Sequence, residues 1–248
     1  MKLLIFDIDG TITKTNPVDQ ECFRRTSESI FKQEIEQIDF HEFRNITDSA
    51  VVFELYQKYL DRNPSREEYF EFRKLFKKNL KALFRSEADG FEAVDGIQTL
   101  LRDLSEHDKW TFTIATGCWK FSAKFKLESS GFYVKDLDIV TADDGLTRDR
   151  IILNAIEQAT KKNKGIPFKR IVYVGDAAWD ITSCYNLKIP FIGIDAEENE
   201  KNKGVLGNFF TLRKYPSIKK FLKIAKEAEV PSQPFANPLF RASEKEAK

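Results

Sequence analysis

The sequence predicts an α/β fold, a Rossmann-like parallel sheet with helices on both faces and an inserted α-helical domain. Three observations predict it. Strand-like runs at 3–6, 112–115 and 171–174 each lead into a small polar or acidic residue. Between these runs lie segments of helical length and spacing, the alternation that gives a parallel sheet covered on both sides. Residues 16–90 break that alternation. They are rich in phenylalanine and lack a β-branched run, so they form a helical core of their own.

The elements follow in order. Leu3-Leu4-Ile5-Phe6 reads as a buried strand, stopped by Asp7-Ile8-Asp9-Gly10-Thr11. Asn16-Pro17 reads as a helix start with Asn as cap, and Val18, Cys22, Thr26 and Ile30 continue at helical spacing. Thr47 or Asp48 caps a second helix. Ser65-Arg66-Glu67-Glu68 is a capping box opening a third, through Phe84. The chain returns to alternation at about residue 94. Helices are expected at 97–106, 120–130, 149–163 and 179–187. Strands are expected at 110–116, 137–140, 170–175 and 189–194, with Gly131 as a helix C-cap. The units are therefore 1–14 with 91–228 as the α/β core, 15–90 as the helical insertion, and 229–248 as a tail. In the tail Pro231, Pro234 and Pro238 discourage regular structure, while Phe235, Leu239 and Phe240 are potential surface anchors.

Composition excludes several functions. With 40 basic and 39 acidic residues in 248, there is no electrostatic case for nucleic acid or an anionic membrane. No apolar run approaches the roughly 18 residues that span a bilayer. Cys22, Cys118 and Cys184 are widely spaced and form no metal or redox pattern. They are read as free thiols in a reducing compartment, the cytoplasm. With only His41 and His107, a metal would be held by oxygen ligands, which suits Mg²⁺.

Chemistry concentrates at strand ends. Asp7 and Asp9 share a face if the strand stays extended. At about 4 Å and an effective dielectric of about 20 their repulsion is roughly 4 kcal/mol, which calls for a cation or a chemical role. Thr116-Gly117 ends a second strand, and Gly175-Asp176 ends a third, with Asp180 four residues on. In an open parallel sheet that edge is where ligands bind.

This set resembles the haloacid-dehalogenase superfamily of phosphohydrolases. Asp7-Ile-Asp9-Gly-Thr matches its first motif, Thr116 its second, and Gly175-Asp176-Ala-Ala-Trp-Asp180 its fourth. The third motif normally supplies a lysine. None occurs in Leu146-Thr147-Arg148-Asp149-Arg150, so Arg148 is the first choice and Arg150 the alternative, since arginine also binds phosphate well.

The resemblance implies a Mg²⁺-dependent phosphomonoester hydrolase acting on a small phosphorylated metabolite, with a helical cap at 15–90. Asp7 would be the nucleophile and form an aspartyl phosphate. Asp9 would protonate the leaving oxygen and later activate water. Both roles in one group require that its proton be shared with the substrate side and not held by another charge. Asp7, Asp9 through its backbone carbonyl and Asp176 would hold the metal, with Asp180 close by or bound through water, and no histidine or paired lysine among them. Thr116, Gly117 and Arg148 would bind phosphate. Arg44, Thr47 and Trp119 would shape specificity, whereas Trp179 is read as packing. The chain is expected to be a monomer or homodimer. A phosphomutase on the same carboxylates is the main alternative, and a non-catalytic binding protein on this scaffold the other. A dehalogenase would lack Asp9. A phosphonate-cleaving relative would need a Schiff-base lysine, which nothing marks at Lys32 or Lys58.

Overall fold

The computed structural model describes residues 1–86, 88–196, 206 and 209–235. Six parallel strands form one sheet in the order β3-β2-β1-β4-β5-β6. They are β1 (Lys2–Phe6), β2 (Trp110–Ala115), β3 (Ile139–Val140), β4 (Ile171–Gly175), β5 (Phe191–Ile194) and β6 (Thr211–Leu212). β1 lies at the centre between β2 and β4, so all three acidic or threonine strand ends share one edge.

Strand periodicity divides the core into two faces. Leu4 and Phe6 pack with α4 (Ile97–Ser105), α5 (Lys120–Ser129) and α8 (Ile218–Glu227). Leu3 and Ile5 point the other way, onto α6 (Arg148–Lys162) and α7 (Ala178–Leu187). A strand buried on both sides needs the unbroken apolar run seen in its sequence.

The helical segment comprises α1 (Asn16–Phe31), α2 (Asp48–Leu60) and α3 (Arg66–Ser86). Its core is aromatic, with Phe23, Tyr56, Phe72 and Phe76 all buried. The capping box at Ser65 is present. Glu68 N–H donates to Ser65 Oγ at 3.2 Å, and Ser65 N–H to Glu68 Oε2 at 2.7 Å. Two connections tie this segment to the sheet, and they pair with each other. Lys14 N–H donates to the Glu92 carbonyl at 2.8 Å and Val94 N–H to that of Ile12 at 2.9 Å.

Four local expectations need correction. α1 is capped by Thr15, not Asn16. The Asn16 amide is instead drawn to Asp176, where it donates to Oδ2 at 2.8 Å. The strand expected at 137–140 shortens to two residues, and the one at 189–194 starts at Phe191, because Pro190 cannot donate to the ladder. β6 was not expected at all. Two residues carry no periodicity, and only their pairing with β5 makes them a strand. In the tail, Phe235 N–H donates to Thr182 Oγ1 at 3.2 Å; Pro238, Leu239 and Phe240 lie outside the described residues.

Candidate active site

β1 delivers Asp7 to the sheet edge, where its N–H donates to the Val174 carbonyl at 3.0 Å. The carboxylate is 3% exposed. Its Oδ2 accepts from Arg148 Nη1 at 2.9 Å, while Oδ1 is buried without a hydrogen-bond partner among the described residues. Burial, with some help from Asp9, raises its proton affinity, and Arg148 opposes this. Gly10 turns the chain with φ +70°, and a Cβ there would sit 2.1 Å from Asp176 Oδ2. Only glycine lets the first loop lie against the end of β4.

Arg148, in the first turn of α6, is the cation that reaches the site. Its Nη1 lies 2.9 Å from Asp7, 3.0 Å from Asp180 Oδ1 and 3.3 Å from the Tyr173 hydroxyl. Burial disfavours its charge, but the attraction of Asp7 and Asp180 wins and holds its proton affinity well above the ordinary arginine value. Arg150 is exposed, on the opposite side of the helix.

Asp180 is fully buried. Its Oδ1 accepts from Arg148 and Tyr173, and its Oδ2 from the N–H groups of Asp176 and Ala177, each at 3.2 Å. Burial pushes its carboxyl up to about 7 against the pull of Arg148. With both oxygens taken by protein donors, Asp180 supports its neighbours rather than facing the site. Asp176 accepts from Asn16 and, at 3.5 Å, from the Thr11 hydroxyl.

Asp7, Asp176 and Asp180 each present an oxygen within 4.8 Å of the others. Asp7, whose Oδ1 has no hydrogen-bond partner among the described residues, and Asp176 form an oxygen-only donor pair that fits Mg²⁺, with Asp180 close by.

Asp9 departs from expectation. The repulsion foreseen between it and Asp7 is relieved by a separate cation for each. Lys126, from α5, is fully buried and places Nζ 2.8 Å from Asp9 Oδ1. The same ammonium bonds to Asp19 of α1, and Asp9 also accepts from the Thr15 hydroxyl and from Cys118 Sγ at 2.8 Å. Burial would raise the Asp9 carboxyl, but Lys126, Cys118 and Thr15 outweigh it and hold it below the usual value. The expectation that no paired lysine stands among these carboxylates, and that no other charge holds Asp9, is therefore corrected. Asp9, Asp19 and Cys118 are also spaced to share a metal ion, but an ammonium already fills that position.

Sequence reasoning missed Lys126 because lysine normally marks a solvated face. The signal was its position, since Ala123, Lys126, Leu127 and Ser130 share the buried stripe of α5.

Thr116 ends β2 beside the same cavity, and its Oγ1 accepts from Cys118 N–H at 3.2 Å. Gly117 is where the helical segment touches the sheet edge. Its carbonyl accepts from Asp48 N–H at 2.8 Å, and a Cβ on it would lie 2.7 Å from the Ile46 carbonyl oxygen. Thr47 caps α2 and donates to the Leu146 carbonyl at 3.0 Å.

Trp119 is fully buried, so its expected contact with substrate is corrected. Its Nε1 donates to Ser49 at 2.9 Å and Tyr69 at 3.0 Å, and its backbone N–H to Asp48. It fastens the cap to the core. Trp179 packs as expected, its ring 5.4 Å from that of His41, and it also lines the site, with a buried Nε1 that has no hydrogen-bond partner among the described residues.

The cavity between Asp7, Asp9, Thr116, Asp176 and the cap holds only about 40 Å³. Beyond Arg148 and Trp179 a second cavity of about 610 Å³ opens, lined by His41, Arg44, Asn45 and Phe235.

A parallel sheet whose central strand ends in paired carboxylates, closed by inserted helices and lacking a histidine-based triad, defines a carboxylate-centred hydrolase class. The chain matches the sequence profile of the haloacid dehalogenase-like hydrolases over residues 4–194, and it belongs to that family. Comparison with curated proteins gives no match. Solved structures share the fold. A hydrolase from Pseudomonas syringae is 20% identical, with TM-score 0.66, covering 92% of this chain and 99% of its own. A β-phosphoglucomutase from Clostridium difficile is 16% identical, with TM-score 0.65, covering 91% and 97%. CbbY from Rhodobacter sphaeroides, in complex with phosphate, is 14% identical, with TM-score 0.61, covering 77% and 84%. No helix among the described residues is long and apolar enough to cross a membrane.

Proposed function

We propose that this hydrolase cleaves phosphomonoesters of small metabolites, with Asp7 as nucleophile and Mg²⁺ as cofactor. One observation carries the reading: Asp7 keeps one buried oxygen without a hydrogen-bond partner among the described residues, while its other oxygen is held by Arg148 and its carboxylate lies within reach of Asp176. An Asp7 oxygen attacks phosphorus. The bond to the ester oxygen breaks, its electron pair stays on that oxygen, and Asp9 supplies the proton. Water then attacks the aspartyl phosphate, gives a proton to Asp9, and the bond to Asp7 breaks. Arg148, Thr116 and the Gly117 N–H hold the phosphate oxygens through both steps.

The resting Asp9 is ionised by Lys126, which suits the second step. In the first, the incoming phosphate brings negative charge beside Asp9 and raises its proton affinity. Mg²⁺ held by Asp7, the Asp9 carbonyl and Asp176 would neutralise charge on the phosphate and orient it.

In this reading residues 15–90 act as the cap, 1–14 with 91–228 as the catalytic core, and 229–248 as a tail. The site cavity has room for a few water molecules only, so the cap must part to admit an ester. The adjoining larger cavity then offers Arg44 and Asn45 to the leaving group. Similar folds include a protein in complex with phosphate and a phosphoglucomutase, which favours a phosphorylated small molecule as substrate. The test is a hydrolysis screen over phosphorylated metabolites with Mg²⁺. Release of inorganic phosphate from one or a few supports the reading. Conversion to an isomer without phosphate release makes the chain a phosphomutase, and no turnover of any kind leaves a binding protein.

A further inference from the structure

Lys126 is the one fully buried lysine among the described residues, and the hydrolytic steps do not use it directly. It leaves α5 inside the core and ends between two carboxylates of different origin. Asp9 belongs to the loop after β1, and Asp19 belongs to the first turn of α1 in the cap. Cys118 Sγ lies 3.4 Å from the ammonium on a third side. A buried ammonium has lost its water, so each of its three protons must find an acceptor. These three acceptors fix its position, and it in turn fixes theirs. Asp9 Oδ1 is drawn to Nζ and to the Thr15 hydroxyl, and Oδ2 to Cys118.

A carboxylate free to rotate about χ2 would spend much of its time turned away from the reacting oxygen. Holding a base in place avoids that loss, and a misplacement of about 1 Å costs about 100-fold in rate. Thr15 hydrogen-bonds Thr13, which faces Ala93 of the return connection in an isolated antiparallel bridge. The anchorage of Asp9 thus touches α5, the loop after β2 and the hinge of the cap. Asp19 adds the cap itself.

We infer that Lys126 is a positioning residue: it aims the Asp9 carboxylate at the reacting phosphoryl group, and its bond to Asp19 makes this alignment complete only when the cap is closed. The inference rests on the reading of Asp9 as acid and base given above. It assigns to α5 a part in the reaction that none of the four sequence motifs supplies.

The experiment uses the full chain with Mg²⁺ and p-nitrophenyl phosphate, whose leaving group needs little help from an acid. Loss of base alignment then falls on hydrolysis of the phosphoenzyme. Lys126→Met is expected to lower kcat about 100-fold and KM in parallel, because slowing only the second step leaves kcat/KM nearly unchanged. It should also produce a burst of nitrophenol and a larger fraction of acid-stable phosphoenzyme. Because Lys126→Met leaves Asp9 and Asp19 facing each other, the double variant Lys126→Met with Asp19→Asn is measured beside it. That pair removes both buried charges together and keeps the shape of the side chains. It is expected to fold, to stay slow and to accumulate phosphoenzyme.

Recovery of the double variant to within about threefold of wild type would mean that Lys126 only neutralises Asp19, and would overturn the inference. A slow double variant without phosphoenzyme accumulation overturns it too, since a merely loosened site slows both steps. Asp7→Asn serves as the control. Equal rates in wild type and Asp7→Asn overturn the phosphatase reading and the inference with it. Loss in Asp7→Asn with full activity in both Lys126 variants overturns the inference alone.

Discussion

At the scale of residues, the site is a set of carboxylates sorted by the cation each receives. Asp7 faces Arg148, Asp9 faces Lys126, and Asp180 is bound on both oxygens by protein donors. Asp7, the proposed nucleophile, is the one with an oxygen that has no hydrogen-bond partner among the described residues. Asp7→Asn keeps shape and removes charge, so the fold should persist while phosphate release falls below detection. Turnover at the wild-type rate in a folded variant would reject Asp7. The two arginines of α6 give a second test. Arg148→Ala deletes a buried partner of two carboxylates and should lower kcat by 100-fold or more, in line with loss of a charged transition-state donor. Arg150→Ala alters an exposed side chain and should change kcat less than twofold; the reverse pattern of rates would exchange their roles. That α6 would bring an arginine to the site was legible from its place in the motif order. Which arginine was legible only as a preference, because helix phase depends on where the cap falls, and Thr147 sets it here by accepting from Arg150 N–H at 3.3 Å.

At the scale of elements, the loop before α2 meets the loop after β2 at Gly117, whose carbonyl accepts from Asp48 N–H. Gly117 has no positive φ, so alanine is conformationally acceptable there. The obstacle is distance, with a Cβ 2.7 Å from the Ile46 carbonyl oxygen and 3.0 Å from Arg148 Nη2. Gly117→Ala should therefore push the 44–48 loop outward, lowering kcat/KM by at least tenfold with only a small change in melting temperature, as read by kinetics beside thermal denaturation. Arg44, in the same loop, is exposed and lines the larger cavity rather than the phosphate end. Arg44→Ala should raise KM, or change the rank order, among metabolite substrates. Hydrolysis of p-nitrophenyl phosphate should be unaffected, because that ester carries little beyond the phosphate. Equal loss on every substrate would make Arg44 a support of the fold. The loop stands out in the sequence by its polar make-up. Trp119 was misread because an aromatic beside a strand-end motif has the same appearance in sequence whether it faces the cleft or the cap core, and the hydroxyls of Ser49 and Tyr69 that capture it lie 70 and 50 residues away.

At the scale of the whole molecule, stability and function meet in the acidic edge of the sheet. Folding gathers Asp7, Asp176 and Asp180 within 4.8 Å, and the repulsion this creates is only partly answered by Arg148. A divalent ion that binds the folded form alone stabilises it by mass action, about 2.7 kcal/mol at 100 times its Kd. For a chain of this size that corresponds to a rise of roughly 5–10 °C in melting temperature. Mg²⁺ should produce such a rise, excess EDTA should reverse it and abolish hydrolysis, and Asp176→Asn should no longer respond. A melting temperature and an activity that both ignore EDTA would show that the cluster holds no metal.

The sequence by itself determined the parallel sheet, the helical insertion after the first strand and the three strand ends that bring Asp7, Thr116 and Asp176 to one edge. Those features are local: an apolar run buried on both faces, a capping box, and an acidic residue where a strand stops are all written in consecutive residues. Tertiary structure decided how the charges pair. Lys126 meets Asp19 across 107 positions and Asp9 across 117, Arg148 meets Asp7 across 141, and Asn16 leaves its expected cap for Asp176 across 160. The physical reason is that a buried charge must find a partner wherever the fold brings one, since desolvation costs far more than any local preference. No spacing along the chain records which partner that will be.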